Sequence, residues 1–339
     1  MLDVKLGGGQ TFENLEVFPL IAAGADDLPY DLLADAIAAR TLTITEVGQG
    51  TVPTLVATNT GERGVLVLDG EQLIGSRQNR MTNRSILLPA HSRTEIPVFC
   101  MEHGRWHFTS DQMSPAPQHS PTKLRRHARA AEARRAAAGM DAAPETLRQE
   151  QGAYWNDVAD TLSKVGAHSA TGSLHAAYDT HLRRIAEFVA AFDLRPDQVG
   201  LLAYVGDSVL GLDIIGAPRL YARVHERLLR GYVLDALEHE SPGRDAEAIV
   251  PDGTAAQRYL DAVREAPRHA APTAGVGTYH VLSGVVIGGE LLDDSRRVTH
   301  LSAFPAVQRG PHAGPITSDP HVAPPSERRR HRRRPPDTV

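Results

Sequence analysis

Three features of the sequence predict an α+β fold rather than an alternating β/α one. Short β-type runs bounded by turn residues fill residues 1–110, helical periodicity is concentrated between 120 and 240, and strand patterns return after 277. The first of these regions is expected to be antiparallel, either sandwich-like or a rolled sheet. Its one helix lies at 31–39, where Leu33, Ala36 and Ile37 share a face after an acidic, Pro-containing entry. Strands are predicted at 42–47, 54–58, 64–68, 72–75, 85–88 and 94–100, each closed by Gly, Pro, Asn or Asp. The runs at 65–68 and 72–74 flank Asp69-Gly70-Glu71, which reads as a tight hairpin with both acids at its tip. Residues 121–140 are rich in Arg and Ala with Leu124 nearly alone as a large apolar residue, so this helix is expected to be exposed or to await a partner.

The helices at 147–165 and 173–192 carry Tyr154, Trp155, Val158 and Leu162, then Leu174, Tyr178, Ile185 and Phe188, at core spacing. A hairpin follows at 199–215. Pro218 then opens a helix running to about His239 with Tyr221, Val224, Leu228, Leu229, Tyr232, Val233 and Leu237 inward. The hairpin matches 66–75 in its order of apolar, Gly and acidic residues, which either a degenerate duplication or a generic Gly turn explains. Residues 241–274 read as a loop around one short helix, 277–291 as a strand pair broken at Gly288-Gly289, and 298–304 as a last strand. The expected organisation is one composite domain over 1–305: a β-rich part at 1–115, a helical part at 120–240 and closing strands at 277–304. Residues 306–339, rich in Pro, Gly and Arg, are expected to form a disordered basic tail.

A chain of 339 residues with 41% hydrophobic and 23% charged residues is not dominated by disorder. Its one cysteine, Cys100, cannot form an intrachain disulfide, and the 16 histidines show no HExxH spacing. The first ten residues lack the order of a signal peptide, and no apolar run approaches the ~20 residues needed to cross a bilayer, so a cytoplasmic protein with no membrane partner is expected. The net charge of -5 conceals the basic tail, and the rest of the chain is therefore more acidic than the total. Composition and pattern thus give a class of fold and not a reaction.

Three polar groupings carry possible chemistry. The densest is Asp69-Gly70-Glu71-Gln72, followed by Arg77-Gln78-Asn79-Arg80, where acceptors, amides and guanidinium groups crowd together as in a site for a polar or phosphorylated ligand. Asp69 and Glu71 are the candidate catalytic or water-orienting acids; Gln72, Arg77, Gln78, Asn79 and Arg80 are the candidate ligand-binding residues. The plainer reading has Asp69 and Glu71 solvating the turn and pairing with Arg77 and Arg80. The second grouping surrounds Cys100 with Glu95, Glu102, His103, Arg105, Trp106 and His107; alternation makes Cys100 a core thiol, and Trp106 is a packing or a ligand-stacking residue. The third is Asp207, Asp213 and Asp235. Asp207 is placed with Asp69 and Glu71 around a hydrated Mg²⁺ or as an acid/base pair, Asp213 reads as the outward residue of an edge strand, and Asp235 as a cap or a partner of Arg230 or His239. No ligand set has diagnostic spacing, so the cofactor and any metal stay unassigned. Gly7-Gly8-Gly9 precedes no helix and fails as a phosphate loop. The basic helix (Lys123, Arg125, Arg126, Arg129, Arg134, Arg135) and the tail at 328–334 are solvated faces by default, or weak, salt-sensitive nucleic-acid grips lacking aromatics for stacking.

Ordered motifs then point to a family. Val47-Gly48-Gln49-Gly50-Thr51-Val52-Pro53, Leu68 to Gly75, Gln78-Asn79-Arg80, Leu88-Pro89-Ala90, Glu95-Ile96-Pro97-Val98 with Cys100, and Gly104-Arg105-Trp106 resemble the bacterial ARG-and-rhodanese-phosphatase-superfamily-associated domain. Gln151 with Trp155, Leu174 to Tyr178, Gln198-Val199-Gly200, Gly211-Leu212-Asp213 and 232–237 resemble its later blocks, so the resemblance spans roughly 5–305; Glu150 stands where Asp is expected in relatives. The resemblance implies association with ADP-ribosylglycohydrolases and rhodanese-phosphatases, hence a role in handling ADP-ribose or a related nucleotide, and it brings no catalytic residues with it. Against this stands a non-enzymatic interaction module whose acidic loops and basic helix dock a protein partner.

Overall fold

The computed structural model describes residues 2–51, 53–105, 108–138, 144–240 and 253–307, without the side chains of 49–51, 137–138 and 144–148. Trp106, His107 and the tail from 308 onward lie outside the described residues. In chain order the elements are β1 (Lys5–Leu6), β2 (Gln10–Phe12), β3 (Leu15–Ile21), β4 (Tyr30–Leu32), α1 (Leu33–Ala38), β5 (Leu42–Thr51), β6 (Thr54–Asn59), β7 (Gly64–Val67), β8 (Glu71–Ile74), β9 (Arg80–Thr82), β10 (Ile86–Leu88), β11 (Ser92–Cys100) and β12 (Ser114–His119). They continue as α2 (Thr122–Ala138), α3 (Pro144–Lys164), α4 (His175–Thr180), α5 (Leu182–Ala190), β13 (Gln198–Val205), β14 (Ser208–Ile215), α6 (Pro218–Glu238), α7 (Gly253–Glu265), β15 (Arg268–Ala271), β16 (Thr278–Leu282), β17 (Val286–Leu292) and β18 (Val298–Pro305).

Strand pairing is antiparallel except between β4 and β7, and the fold is α+β as the sequence predicts. One sheet runs β1-β3-β13-β14-β18-β17-β16-β15 with β2 beside β3. A second, curled sheet runs β12-β8-β9-β11-β6-β5, and a third β10-β7-β4. The large sheet is buried on both faces: Phe18, Leu20, Leu202 and Ile214 pack with Ala256, Leu260 and Val263 of α7, while Val17, Leu201 and Ala203 pack with Phe188 of α5 and Leu229 and Tyr232 of α6. Such double coverage explains why β3, apart from Glu16, and β13, after Gln198, are apolar on both faces rather than alternating. The curled sheet and the three-stranded sheet enclose a separate core of Leu33, Ile44, Leu55, Val67, Leu73, Ile86 and Ile96.

Several expectations change. The hairpin at 64–75 does not form, because β7 pairs with β10 and β4 whereas β8 pairs with β9 and β12. Thr82 of β9 sits between them instead, its hydroxyl donating to the Leu68 carbonyl (2.6 Å) and accepting from the Glu71 N–H (3.0 Å). Asp69 and Glu71 are therefore buried at a corner between two sheets, not displayed at a tip. The hairpin at 199–215 does form, as β13 and β14, so the two segments do not share a shape. Gly288-Gly289 lies inside β17, and the strand pair turns at 283–285. The helix expected at 173–192 is interrupted at His181. β1, β2, β3, β4, β9, β12 and β15 are additional to the strands expected.

The largest revision concerns α2. Arg125 and Arg129 are among the largest fully buried side chains of the protein, and α2 lies beneath β17 and beside α3 and α6 rather than in solvent. Asp235 of α6 accepts the backbone N–H groups of Thr122 (2.6 Å) and Lys123 (3.3 Å), so it caps α2 from a neighbouring helix. Asp213 is likewise no edge residue: β14 is flanked by β13 and β18, and its carboxylate is wholly buried.

Candidate functional site

Three adjoining regions gather the polar residues. The first is an ionic core at the corner between the sheets. Gly70, at φ +82°, carries no Cβ, and one placed there would lie 2.6 Å from the Arg125 side chain; this gap lets Arg125 pass to the carboxylates behind it. Its guanidinium donates to both oxygens of Asp213 (Nη1 to Oδ2 2.8 Å, Nη2 to Oδ1 2.6 Å) and to Asp69 Oδ1 (2.6 Å). Ser302 donates to Asp69 Oδ2 (2.8 Å), Tyr232 donates to Asp213 Oδ2 (2.7 Å), and His300 joins Asp213 (3.2 Å) to Ser85 (2.5 Å). Burial acts to raise both aspartates, but Arg125 and His300 override it and hold both carboxyls below the usual range, Asp213 far below. Glu71 faces Arg227 (3.2 Å) and the Leu68 N–H (3.1 Å), yet burial wins and pushes its pKa up. His119, hydrogen-bonded to the Asp69 carbonyl (2.6 Å), is pushed down to about 3 by burial and by Arg125.

Asp69, Asp213 and His300 bring ligand atoms within 4.8 Å of one another, a grouping suited to a metal ion. The Arg125 guanidinium donates to both carboxylates of that set, and its charge stands where that of a divalent ion would. Asp207, by contrast, is an exposed residue of the β13–β14 turn bonded to Ser208 (3.2 Å). The residue of that hairpin that meets Asp69 is Asp213.

The second region lies at the rim of the curled sheet and collects the amide and guanidinium residues. Gln78 donates to the Glu102 carbonyl (2.9 Å), and its Oε1 receives both Arg80 Nη1 (2.8 Å) and the Cys100 thiol (3.0 Å). Asn79 accepts from Arg105 (3.0 Å) and from the Gly75 N–H (3.2 Å), while Arg105 pairs with Glu102 (2.7 Å). Arg77 and Arg80 both face Glu46, so neither pairs with Asp69 or Glu71. Gln72 stands apart: it accepts from Gln118 (3.3 Å) and donates to Tyr178 (3.5 Å). Cys100 is a core thiol as alternation predicts; burial raises its pKa against the pull of the Arg80 charge and the Trp155 N–H, which leaves it neutral.

The third region is a hollow of about 510 Å³ lined by His103, Gly152, Trp155, Asn156, Ala159 and Gly172. Its walls are the exposed turn of α3 and two loops pinned together. The Gly104 N–H donates to the Thr171 carbonyl (2.7 Å), and the Thr171 hydroxyl donates to Glu102 (2.7 Å). One turn earlier on α3, Gln151 pairs its amide with both backbone groups of Cys100 (2.8 and 3.0 Å), which fixes the helix to β11 and sets Trp155 beside it. His103 meets the Trp155 indole edge-on, centroids 4.3 Å apart. Another hollow, about 420 Å³, mixes Asp3, Asp26 and Glu290 with Arg296 and Arg297 and has no aromatic wall.

The structure places Arg77, Gln78, Asn79 and Arg80 at one rim, as their closeness in sequence suggests; the burial of Arg125, the parts played by His300 and Glu46, and the place of Trp155 on the wall of a hollow are not foreseen from the sequence. Gly152 inside a helix, directly beside the Gln151–Trp155 spacing, was the available signal for the last of these. The family model described as the ARG and Rhodanese-Phosphatase-superfamily-associated Protein domain matches residues 3–304, and that name links the domain to ADP-ribosylation-related systems. No curated protein and no solved structure matches the chain.

Proposed function

The chain belongs to the ARG and Rhodanese-Phosphatase-superfamily-associated Protein domain family, and from that membership we propose that it is a cytoplasmic binder of ADP-ribose or a related nucleotide, seated in the hollow beside Trp155. The observation that carries this reading is the paired His103 and Trp155 rings on the wall of a hollow of about 510 Å³, with the exposed Asn156 on its lining. That volume lies in the range that admits a small-molecule ligand, and stacking on an aromatic ring contributes about 1–3 kcal/mol per base. The amide of Asn156 supplies both a donor and an acceptor for a base edge or a ribose hydroxyl.

The reading is binding without turnover. Of the acids first favoured for chemistry, Asp69 serves in it with Asp213 as the anionic half of the ionic core around Arg125, and Glu71 as the buried partner of Arg227. A nucleic-acid grip by α2 has less support, since Arg125 and Arg129 are spent inside the molecule. Among the described residues no helix is long and apolar enough to cross a membrane.

Calorimetry with ADP-ribose and with NAD tests the proposal. Wild type is expected to release or absorb heat with at least one of them, and Trp155→Ala to weaken binding by roughly tenfold, the share of one stacked base. Silence with both nucleotides removes the proposal and leaves the interaction module.

A further inference from the structure

The rim of the curled sheet holds more positive charge than its own carboxylates balance. Arg77, Arg80 and Arg105 face Glu46 and Glu102; Arg105 and Glu102 neutralise each other, so a single carboxylate, Glu46, serves two guanidinium groups. Arg80 is 0% exposed. Its Nη1 is committed to Gln78, but among the described residues its Nε and Nη2 have no oxygen acceptor within hydrogen-bond length, and Glu46 Oε1 stands 3.6 Å from Nη2. Leaving buried guanidinium donors unmatched is costly, and such donors mark a place where an acceptor belongs. The Cys100 thiol lies beside the Arg80 guanidinium and interacts with it, but sulfur is a weak acceptor, and burial raises the thiol's pKa and so opposes the thiolate.

An approach exists. The Arg77 side chain is 32% exposed and reaches the same Glu46 carboxylate at 3.4 Å; the Glu46 side chain is 9% exposed, so Arg77 is its solvent-facing partner and Arg80 its buried one. Beyond Glu46 the pairing of β5 with β6 loses register before Thr51, and Gly48 adopts φ +55°, so the ladder is interrupted next to this carboxylate.

We propose that Arg77 and Arg80 form a binding site for a phosphate-type oxyanion, and that Glu46 is its internal stand-in, displaced when the anion arrives. Gln78 orients Arg80 by holding Nη1, which leaves the Nε–Nη2 edge, the edge suited to two parallel bonds to an oxyanion, turned to the vacancy in its hydrogen bonding. The anion is either free phosphate or the phosphate of a larger ligand. This site does not depend on the Trp155 hollow.

Titration calorimetry with inorganic phosphate, and separately with AMP, tests it on the full chain. Removing the competing carboxylate in Glu46→Gln is expected to tighten phosphate binding about tenfold, and Arg77→Ala to weaken it about tenfold. Raising ionic strength should weaken binding in every variant that binds. Equal phosphate affinity in wild type and Glu46→Gln, no heat in either, or an unaltered Arg77→Ala each overturns the proposal. AMP binding without phosphate binding also overturns it and assigns the nucleotide to the hollow. Arg77→Ala changes a partly exposed side chain and Glu46→Gln keeps the size and shape of a largely buried one, so the test does not depend on the folding of a variant at the buried Arg80.

Discussion

Arg125 draws its partners from far along the chain: Asp69 lies 56 residues before it and Asp213 lies 88 residues after it. A guanidinium taken into the interior keeps its charge, so the two carboxylates beside it are needed to offset the cost of desolvation. Removing one of them exposes how much depends on the arrangement. Asp213→Asn preserves shape but deletes the anion that takes two guanidinium bonds, and it is expected to destabilise the fold by about 3–5 kcal/mol in urea denaturation at pH 7. The pH dependence follows from the same pair. Asp69 and Asp213 are both held below their unfolded values, so their contribution is complete above about pH 4 and is lost as pH falls toward the folded values. Wild type should therefore lose stability steeply below pH 4, and Asp213→Asn less steeply. A loss under ~1 kcal/mol at pH 7 would mean that Asp69 alone suffices for Arg125. None of this was legible in the helix sequence, where arginines without an apolar stripe read as a solvated face; a buried ion pair leaves its second half in another part of the chain.

At the scale of elements, α6 organises the middle of the molecule, and its readability contrasts with that of the strands. Every inward residue expected from its 3.6-residue period is buried, because a long helix repeats its signal many times; from Gly231 to Leu237 the helix is buried all round, which the period alone does not show. β3 is buried on both faces and so shows no alternation, and β12 carries Pro115 and Pro117, which suit an outer strand but hide it from a pattern search. The turn chemistry at Gly70 was correctly read as a turn; which strands it joined depended on Thr82, eleven residues beyond Glu71. The rim residues Gln78 to Arg80 were legible because amides in a strand-like run need partners. The hollow was not, since it is assembled from α3 and two loops. Gly231 gives the element-scale prediction. It allows α6 to lie against the end of β12, where a Cβ would stand 2.7 Å from the Ser120 carbonyl oxygen and 3.1 Å from that of His119. Alanine gains about 1 kcal/mol in helix propensity, but both obstacles are backbone, and overpacking costs about 1–3 kcal/mol. Gly231→Ala is expected to lower the melting temperature; a rise would show that α6 can withdraw from β12 without loss.

For the whole molecule the question is whether the sheets and helices unfold together, which is the sense in which residues 1–305 are proposed to form one composite domain. The ionic core argues that they do. Asp69 lies between β7 and β8, Arg125 on α2, Asp213 on β14, Tyr232 on α6, and His300 and Ser302 on β18, so a single hydrogen-bonded group draws on the N-terminal β region, the helical middle and the closing strands. Loss of any one of these elements strands charges that the others have buried, and that penalty couples their unfolding. In a Trp106→Phe variant, which leaves Trp155 as the one tryptophan, fluorescence reports on α3 and the hollow, while far-UV circular dichroism reports on the sheets and helices together. The two signals are expected to give the same urea midpoint and slope, as a two-state transition requires. A fluorescence transition at lower urea would show α3 leaving first, and the wall of the proposed binding hollow would then be a separately stable unit carried on an ionic core that survives it.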